Sequence, residues 1–113
     1  MNLARVIENS GAKLLTADAA DADIDAVYAG DKVSDLLNAA THSTLIITNL
    51  NGLQLMRLAE LMDVPAICLL NGVEPDGEII EAAQEQGTAL LISPAGMFET
   101  CGRIHRCLYP DGQ

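Results

Sequence analysis

Three short, apolar, uncharged runs alternate with stretches of helical periodicity in the second half of the chain, and this alternation limits the fold more than any other feature. The runs are residues 44–48, 66–70 and 89–92. Such runs are typical of strands that are buried on both faces of a parallel sheet. Strands that alternate with helices form right-handed crossovers, which place helices on the faces of the sheet. The sequence therefore predicts a three-layer α/β/α fold with a mainly parallel sheet of about five strands.

The remaining elements follow from local signals. A first helix is predicted to end at Gly11, and residues 13–16 and 24–29 are strand-like. Ser34 is predicted to cap the next helix, and residues 97–108 are predicted to form the last one. The helix after the first buried strand is expected to pack inward through Leu53, Met56, Leu58, Ala59, Leu61 and Met62.

The length and composition fit one domain. A chain of 113 residues, half of them hydrophobic, can form a core without disulfides or metal ions. We predict a single domain over residues 1–108 and a short C-terminal tail over residues 109–113. The longest uncharged stretches are too polar or too short to cross a bilayer, and the first residues lack a signal-peptide pattern. We therefore expect a cytoplasmic protein without a membrane partner.

The net charge of −10 limits the choice of partners. Only six residues are basic, and they are scattered along the sequence, which argues against nucleic acid as a partner. A protein partner with a basic surface fits this charge better. The acidic residues form two runs, Asp18, Asp21, Asp23 and Asp25, and Glu74, Asp76, Glu78, Glu81 and Glu85. Solvated acidic surfaces are the simplest interpretation of both runs.

The three cysteines give no sign of a disulfide or a metal cage. The chain has an odd number of cysteines, and none of them has CxxC spacing. We therefore predict free thiols at Cys68, Cys101 and Cys107. Cys101 and His105 lie four residues apart on one face of the predicted last helix, a spacing that suits metal ligands or a thiol and its base. Cys101 also continues an apolar stripe of that helix. We predict no catalytic residue and no metal site.

Ligands of open parallel sheets bind beyond the carboxyl ends of the strands, so the loops after the predicted strands are the candidate site. These loops are rich in Gly, Ser and amide residues near helix starts, which can present backbone N–H groups. The same residue types are also ordinary turn and cap residues. No standard phosphate-binding glycine pattern is present, so no cofactor is predicted other than a candidate nucleotide. The candidate ligand-binding residues are Gly30, Asp31, Lys32, Ser34, Thr48, Asn49, Asn51, Asn71 and Ser93.

Four segments together resemble the DRTGG-domain family: residues 11–15, 27–31 with 34–37, 45–49 and 97–103. The resemblance implies a three-layer domain similar to the N-terminal domain of HPr kinase, with a regulatory or dimer-forming role. Stand-alone members with a Met-Phe-Glu-x-Cys-Gly stretch resemble small proteins of anaerobes that are associated with iron hydrogenases. The namesake motif is not intact, because residues 48–52 stand where its Thr-Gly-Gly part would lie.

We therefore predict a non-catalytic regulatory or partner-binding module, linked to hydrogenase or other anaerobic redox metabolism. A homodimer is expected, since the chain is small and leucine-rich and related domains self-associate. One alternative is an adenine-nucleotide-sensing domain that uses the candidate loops. Another is a thiol- or metal-using maturation helper built on Cys101, Cys107 and His105.

Overall fold

The computed structural model describes residues 1–17 and 21–111, which form five helices and one five-stranded sheet. The helices are α1 (Leu3–Ser10), α2 (Val33–Ala39), α3 (Leu53–Leu61), α4 (Gly77–Gln86) and α5 (Met97–Leu108). The strands are β1 (Lys13–Leu14), β2 (Ala26–Ala29), β3 (Thr44–Thr48), β4 (Ala66–Leu69) and β5 (Ala89–Ile92). Asp18 of the first acidic run and the last two residues of the predicted tail lie outside the described residues.

The strands lie in the order β1-β5-β4-β3-β2. Strands β2 to β5 are parallel to one another, whereas β1 runs antiparallel to β5, with Lys13 opposite Ile92. The prediction of an α/β fold with five strands is confirmed, and the sheet is mixed because of this one edge strand. The carboxyl ends of four strands consequently meet at one edge of the sheet.

Helices cover both faces of the sheet because β3, β4 and β5 are buried along their whole length. Successive side chains of a strand point to opposite faces, so a strand without polar positions needs a helical layer on each side. The layer of α1 and α5 packs around Leu3, Val6, Leu45 and Ile104. The layer of α2, α3 and α4 packs around Leu36, Ile46, Met56, Ile67 and Ile79.

Two sequence predictions about the helices are wrong. Helix α2 begins at Val33, one residue before Ser34, so Ser34 lies in the first turn and does not cap the helix. On α3 the buried residues are Leu55, Met56 and Ala59, whereas Leu61 is 75% exposed. Each residue advances a helix by about 100°, so Leu61 lies nearly opposite Ala59. The hydrophobic residues of α3 are more numerous than its inner face can accommodate.

The surface of the described residues carries the acidic runs as predicted. Glu78, Glu81 and Glu85 are exposed on α4, and Glu74 lies 3.8 Å from Lys13 with both side chains mostly exposed. Such pairs contribute little to stability. Within residues 1–17 and 21–111, no helix has the length and apolar character that crossing a bilayer requires.

The contrast between Leu55 and Leu61 provides a test of the α3 orientation. We expect Leu55→Ala to lower the free energy of unfolding by about 2–5 kcal/mol, because it leaves a cavity under the helix. Leu61→Ala is expected to change it by less than about 0.5 kcal/mol. Urea denaturation of both variants measures the difference. Equal losses would show that α3 packs with a different face.

Candidate functional site

The loops predicted to form the site do meet at one edge of the sheet. They follow the parallel strands β2, β3, β4 and β5, and we call this region the carboxyl edge. It comprises the loop residues 30–32, 49–52, 70–76 and 93–96.

Asp31 connects the first two of these loops. Its Oδ1 accepts hydrogen bonds from the Thr48 hydroxyl at 2.9 Å and from the backbone N–H of Asn49 at 2.6 Å. Its Oδ2 accepts a third bond from the Asn49 side-chain amide at 3.0 Å. Thr48 in turn accepts from the backbone N–H of Leu50 at 3.1 Å. One carboxylate thus orders the start of the loop between β3 and α3.

The hydrogen bonds to Asp31 determine its ionisation. Partial desolvation raises the pKa of this carboxyl, but the backbone and side-chain bonds from Asn49 and the bond from Thr48 outweigh it. The pKa of Asp31 therefore lies below its ordinary value. Asp31 is an ionised acceptor at neutral pH and a poor general base.

Asn71 joins the third and fourth loops to this network. Its side-chain amide donates to the side-chain Oδ1 of Asn49 at 3.0 Å, and its backbone N–H donates to the backbone carbonyl of Ala95 at 2.9 Å. Its φ is 65°, in the left-handed region that asparagine adopts more readily than most residues. The asparagine side chain and this backbone conformation together direct the Asn71 amide toward Asn49.

Ser93 contributes to the order of the fourth loop from inside the protein. Its side chain is fully buried, and its hydroxyl lies 2.7 Å from the Thr100 hydroxyl. The same oxygen accepts the backbone N–H of Ala95 at 3.2 Å. Ser93 therefore fixes the start of α5, and no part of it is open to a ligand in this conformation.

The other candidate residues lie at the same edge without joining the network. Gly30 lies against Tyr28, since a Cβ at this position would be 2.6 Å from the Tyr28 hydroxyl. A larger residue at this position would require the Tyr28 ring to shift. Lys32, Ser34 and Asn51 are exposed, and within the described residues their side chains make no hydrogen bond or ion pair.

A shallow pocket of about 190 Å³ lies beside the network. Among its walls are Thr48, Asn49, Asn51 and Asn71, which the sequence predicted, and the apolar residues Leu50, Leu69, Leu70 and Val73, which it did not. These apolar residues are close in sequence to the predicted loop positions. This closeness is the one sequence signal that could have identified them as pocket residues. Pockets for complete small molecules usually measure about 300–1,000 Å³. This one can hold a fragment such as a base or a phosphate.

The helices that begin at the carboxyl edge leave backbone donors available. No side chain caps the first turn of α3, α4 or α5, whose cap positions are Gly52, Asp76 and Gly96. By contrast, Asn2 accepts the N–H of Ala4 at the start of α1. Uncapped first-turn N–H groups can bind an acceptor atom of a ligand.

The cysteines and His105 lie away from this edge or inside the protein. Burial raises the pKa of Cys68 to about 12, and it also raises the pKa of Cys101 and of Cys107. These thiols are protonated at neutral pH and are weak nucleophiles. The ring of His105 stacks at 4.9 Å on Tyr109. Among the residues whose positions are described, no three His, Cys, Asp or Glu side chains group as metal ligands.

The pKa of Asp31 makes its contribution to stability depend on pH. Because the folded pKa is below the unfolded value of about 3.9, the stabilisation is complete above that pH and is lost as pH falls through the folded pKa. We expect Asp31→Asn to lower the free energy of unfolding at pH 7 by about 1 kcal/mol, and the difference from wild type to shrink toward pH 3. Urea unfolding at both pH values measures this difference.

Asp25→Asn is the matched control, since it removes the same charge from an exposed residue for which the described part of the chain shows no side-chain hydrogen bond. A difference between wild type and Asp31→Asn that stays constant from pH 7 to pH 3 would contradict this assignment.

Comparison with known proteins places the fold. No family model matches the chain, and no curated protein matches it. Among solved structures it is similar to the CBS and DRTGG domains of the regulatory region of Clostridium perfringens pyrophosphatase, crystallised with the activator diadenosine tetraphosphate. The TM-score is 0.73 and the sequence identity 16%, over 95% of this chain and 47% of that chain.

At this level of identity the likeness shows the fold alone. The chain spans about half the length of the pyrophosphatase regulatory chain that it matches. The sequence resemblance to DRTGG domains is thereby supported at the level of architecture. This chain has an α/β fold similar to part of that CBS and DRTGG regulatory region.

Proposed function

We propose that this chain is a non-catalytic regulatory domain that senses a small ligand at the carboxyl edge. The observation that carries the proposal is the hydrogen-bonded network of Asp31, Thr48, Asn49 and Asn71, which joins the loops of three parallel strands. A ligand that binds the amides of Asn49 or Asn71 changes the partners of all three loops at once. Such coupling suits a sensor whose loops contact another protein or domain.

The ionisation of the reactive side chains supports a non-catalytic role. A general base works best with a pKa near the operating pH, whereas the hydrogen bonds of Asp31 lower its pKa. A thiol nucleophile needs a lowered pKa, whereas burial raises the pKa of Cys101 and of Cys107. The regulatory nature of the pyrophosphatase region with the same fold supports the same conclusion.

An adenine nucleotide is the ligand class that we propose. The pyrophosphatase region of the same fold was crystallised with the activator diadenosine tetraphosphate. In this chain, asparagine amides such as the exposed Asn51 can pair with the donor and acceptor of an adenine edge. The uncapped N–H groups at the start of α3 can donate hydrogen bonds to a phosphate oxygen. Since the net charge of −10 repels a polyphosphate, we expect the nucleoside part to contribute most of the affinity.

The proposal predicts a specific effect of the Asn71 amide. A nucleotide at about a hundredfold its Kd stabilises the protein by about 2.7 kcal/mol, which thermal unfolding detects readily. We expect ATP and AMP to raise the unfolding temperature of the wild type and to lose this effect in Asn71→Gly. Glycine keeps the positive φ of this position and removes only the amide.

Asn38→Ala is the control, because Asn38 is an exposed amide near the end of α2 and away from the network. The control should respond like the wild type. If no adenine nucleotide shifts the unfolding temperature of the wild type, the proposed ligand class is wrong.

We also propose that the domain acts as a homodimer through the outer edge of β2. An apolar groove of about 270 Å³ lies between this edge strand and α5, lined in part by Val27, Ala29, Ile104 and Leu108. Among the residues that the structure describes, no strand neighbours the outer edge of β2, so its backbone groups can pair with a second copy. The groove can then take apolar side chains of that copy.

Light scattering after size-exclusion chromatography tests the dimer. We expect a dimer for the wild type and a monomer for Ala29→Lys, which places a charge in the groove. Ala39→Lys, at an exposed position on α2, should remain dimeric. A wild-type protein that is monomeric at high concentration would exclude this part of the proposal.

Three further expectations belong to this proposal. A link to iron hydrogenases or other anaerobic redox metabolism depends on the sequence resemblance alone. A basic protein partner is supported by the exposed acidic face of α4, with Glu78, Glu81 and Glu85. Phe98, 95% exposed in the first turn of α5, offers an aromatic contact at the carboxyl edge.

A thiol-based maturation role is a competing function. Burial argues against it, because it raises the pKa of the Cys101 and Cys107 thiols that this role would use.

A further inference from the structure

The fold gathers basic residues that are scattered in the sequence. Three of the six, Arg5, Arg103 and Arg106, line one pocket of about 250 Å³ between α1 and α5, together with Asn9 and Cys107. In a chain with a net charge of −10, this concentration of positive charge differs from the rest of the surface.

The pocket is positioned by the packing of the two helices. On α1, Arg5 and Asn9 lie four residues apart, and on α5, Arg103 and Cys107 do too, so each pair lies on one helix face. The Arg103 guanidinium donates to the Ser10 carbonyl at the end of α1 at 3.4 Å. This contact ties the two walls of the pocket together.

The charges in the pocket are incompletely compensated. Arg103 pairs with Glu99 at 2.7 Å. For Arg5 and Arg106, no carboxylate within the described residues lies at ion-pair distance. Both guanidinium groups also act on the thiol of Cys107: burial raises its pKa, and the charges of Arg5 and Arg106 oppose that rise. Arg5 and Arg106 thus line one pocket without a carboxylate partner among the described residues.

We propose that this pocket binds the phosphoryl group of a small molecule. Arginine forms bidentate hydrogen bonds to phosphate oxygens with matching geometry. A phosphate monoester carries a charge of about −1.5 to −2 at neutral pH, which two uncompensated guanidinium groups balance. The Asn9 amide adds a polar wall, and Pro110 bounds the pocket on the side of the tail.

The pocket is separate from the carboxyl edge. Arg106 lies nine residues beyond Met97, the first residue of α5, which corresponds to about 14 Å along the helix. The pocket therefore serves as a second binding site, and its existence does not depend on the function proposed for the loops.

Calorimetric titration of the whole chain with inorganic phosphate tests the pocket, with chloride keeping the ionic strength constant. We expect saturable binding that Arg5→Gln and Arg106→Gln each weaken by about tenfold or more, the value of one charge-assisted hydrogen bond. Arg57→Gln is the matched control, because Arg57 is an exposed arginine on α3, across the sheet. Asn71→Gly should bind phosphate like the wild type, which separates this test from that of the carboxyl edge.

Glycerol phosphate titrated in parallel distinguishes the two sources of a phosphoryl group. Tighter binding of the ester identifies a phosphorylated metabolite as the ligand, whereas equal or weaker binding identifies free phosphate. The proposal would be overturned if neither phosphate nor glycerol phosphate bound saturably. It would also be overturned if Arg57→Gln and Arg106→Gln lost the same affinity for phosphate.

Discussion

The burial of β3, β4 and β5 on both faces is the constraint on which the rest of the structure depends. It requires a helical layer on each side, and it leaves polar side chains at the strand ends without access to water. Thr48 and Ser93 are fully buried at the carboxyl ends of β3 and β5. Each therefore needs a partner within the protein, because an unsatisfied buried hydroxyl costs about 1–3 kcal/mol.

The hydrogen-bond partners of these two hydroxyls organise the carboxyl edge. Thr48 donates to Asp31, which thereby also holds the backbone of Asn49. Ser93 lies against the hydroxyl of Thr100 and fixes the start of α5. The loops are ordered because the buried hydroxyls beneath them have no water to bind. Asparagine amides remain at the surface of this edge, where we propose that a ligand binds. The candidate site is thus a direct consequence of the core.

The sequence predicted the parts of the structure that depend on local pattern. Strand β3, strand β5 and helix α5 match the predicted ranges, since uncharged runs and a regular apolar stripe leave little choice of element. The meeting of the four loops followed from the parallel arrangement of the strands. The inward position of Leu61 was predicted wrongly because hydrophobicity alone does not show which of several apolar residues a helix buries.

Pairings between distant residues could not be predicted. No local pattern joins Asp31 to Thr48 rather than to solvent, and the bond from Asn71 to Asn49 depends on a positive φ at Asn71. Arg5 and Arg106 lie near opposite ends of the chain, so only the packing of α1 on α5 makes them neighbours. Both features arise from tertiary contacts that no local spacing encodes.

Heteronuclear NMR of the whole chain tests most directly the proposal that a nucleotide is sensed through the Asp31 network. Titration with AMP should shift the backbone resonance of Leu50 and the side-chain amide resonances of Asn49 and Asn71 together, with one dissociation constant. Shifts confined to the pocket of Arg5 and Arg106, or no shifts at all, would contradict the claim.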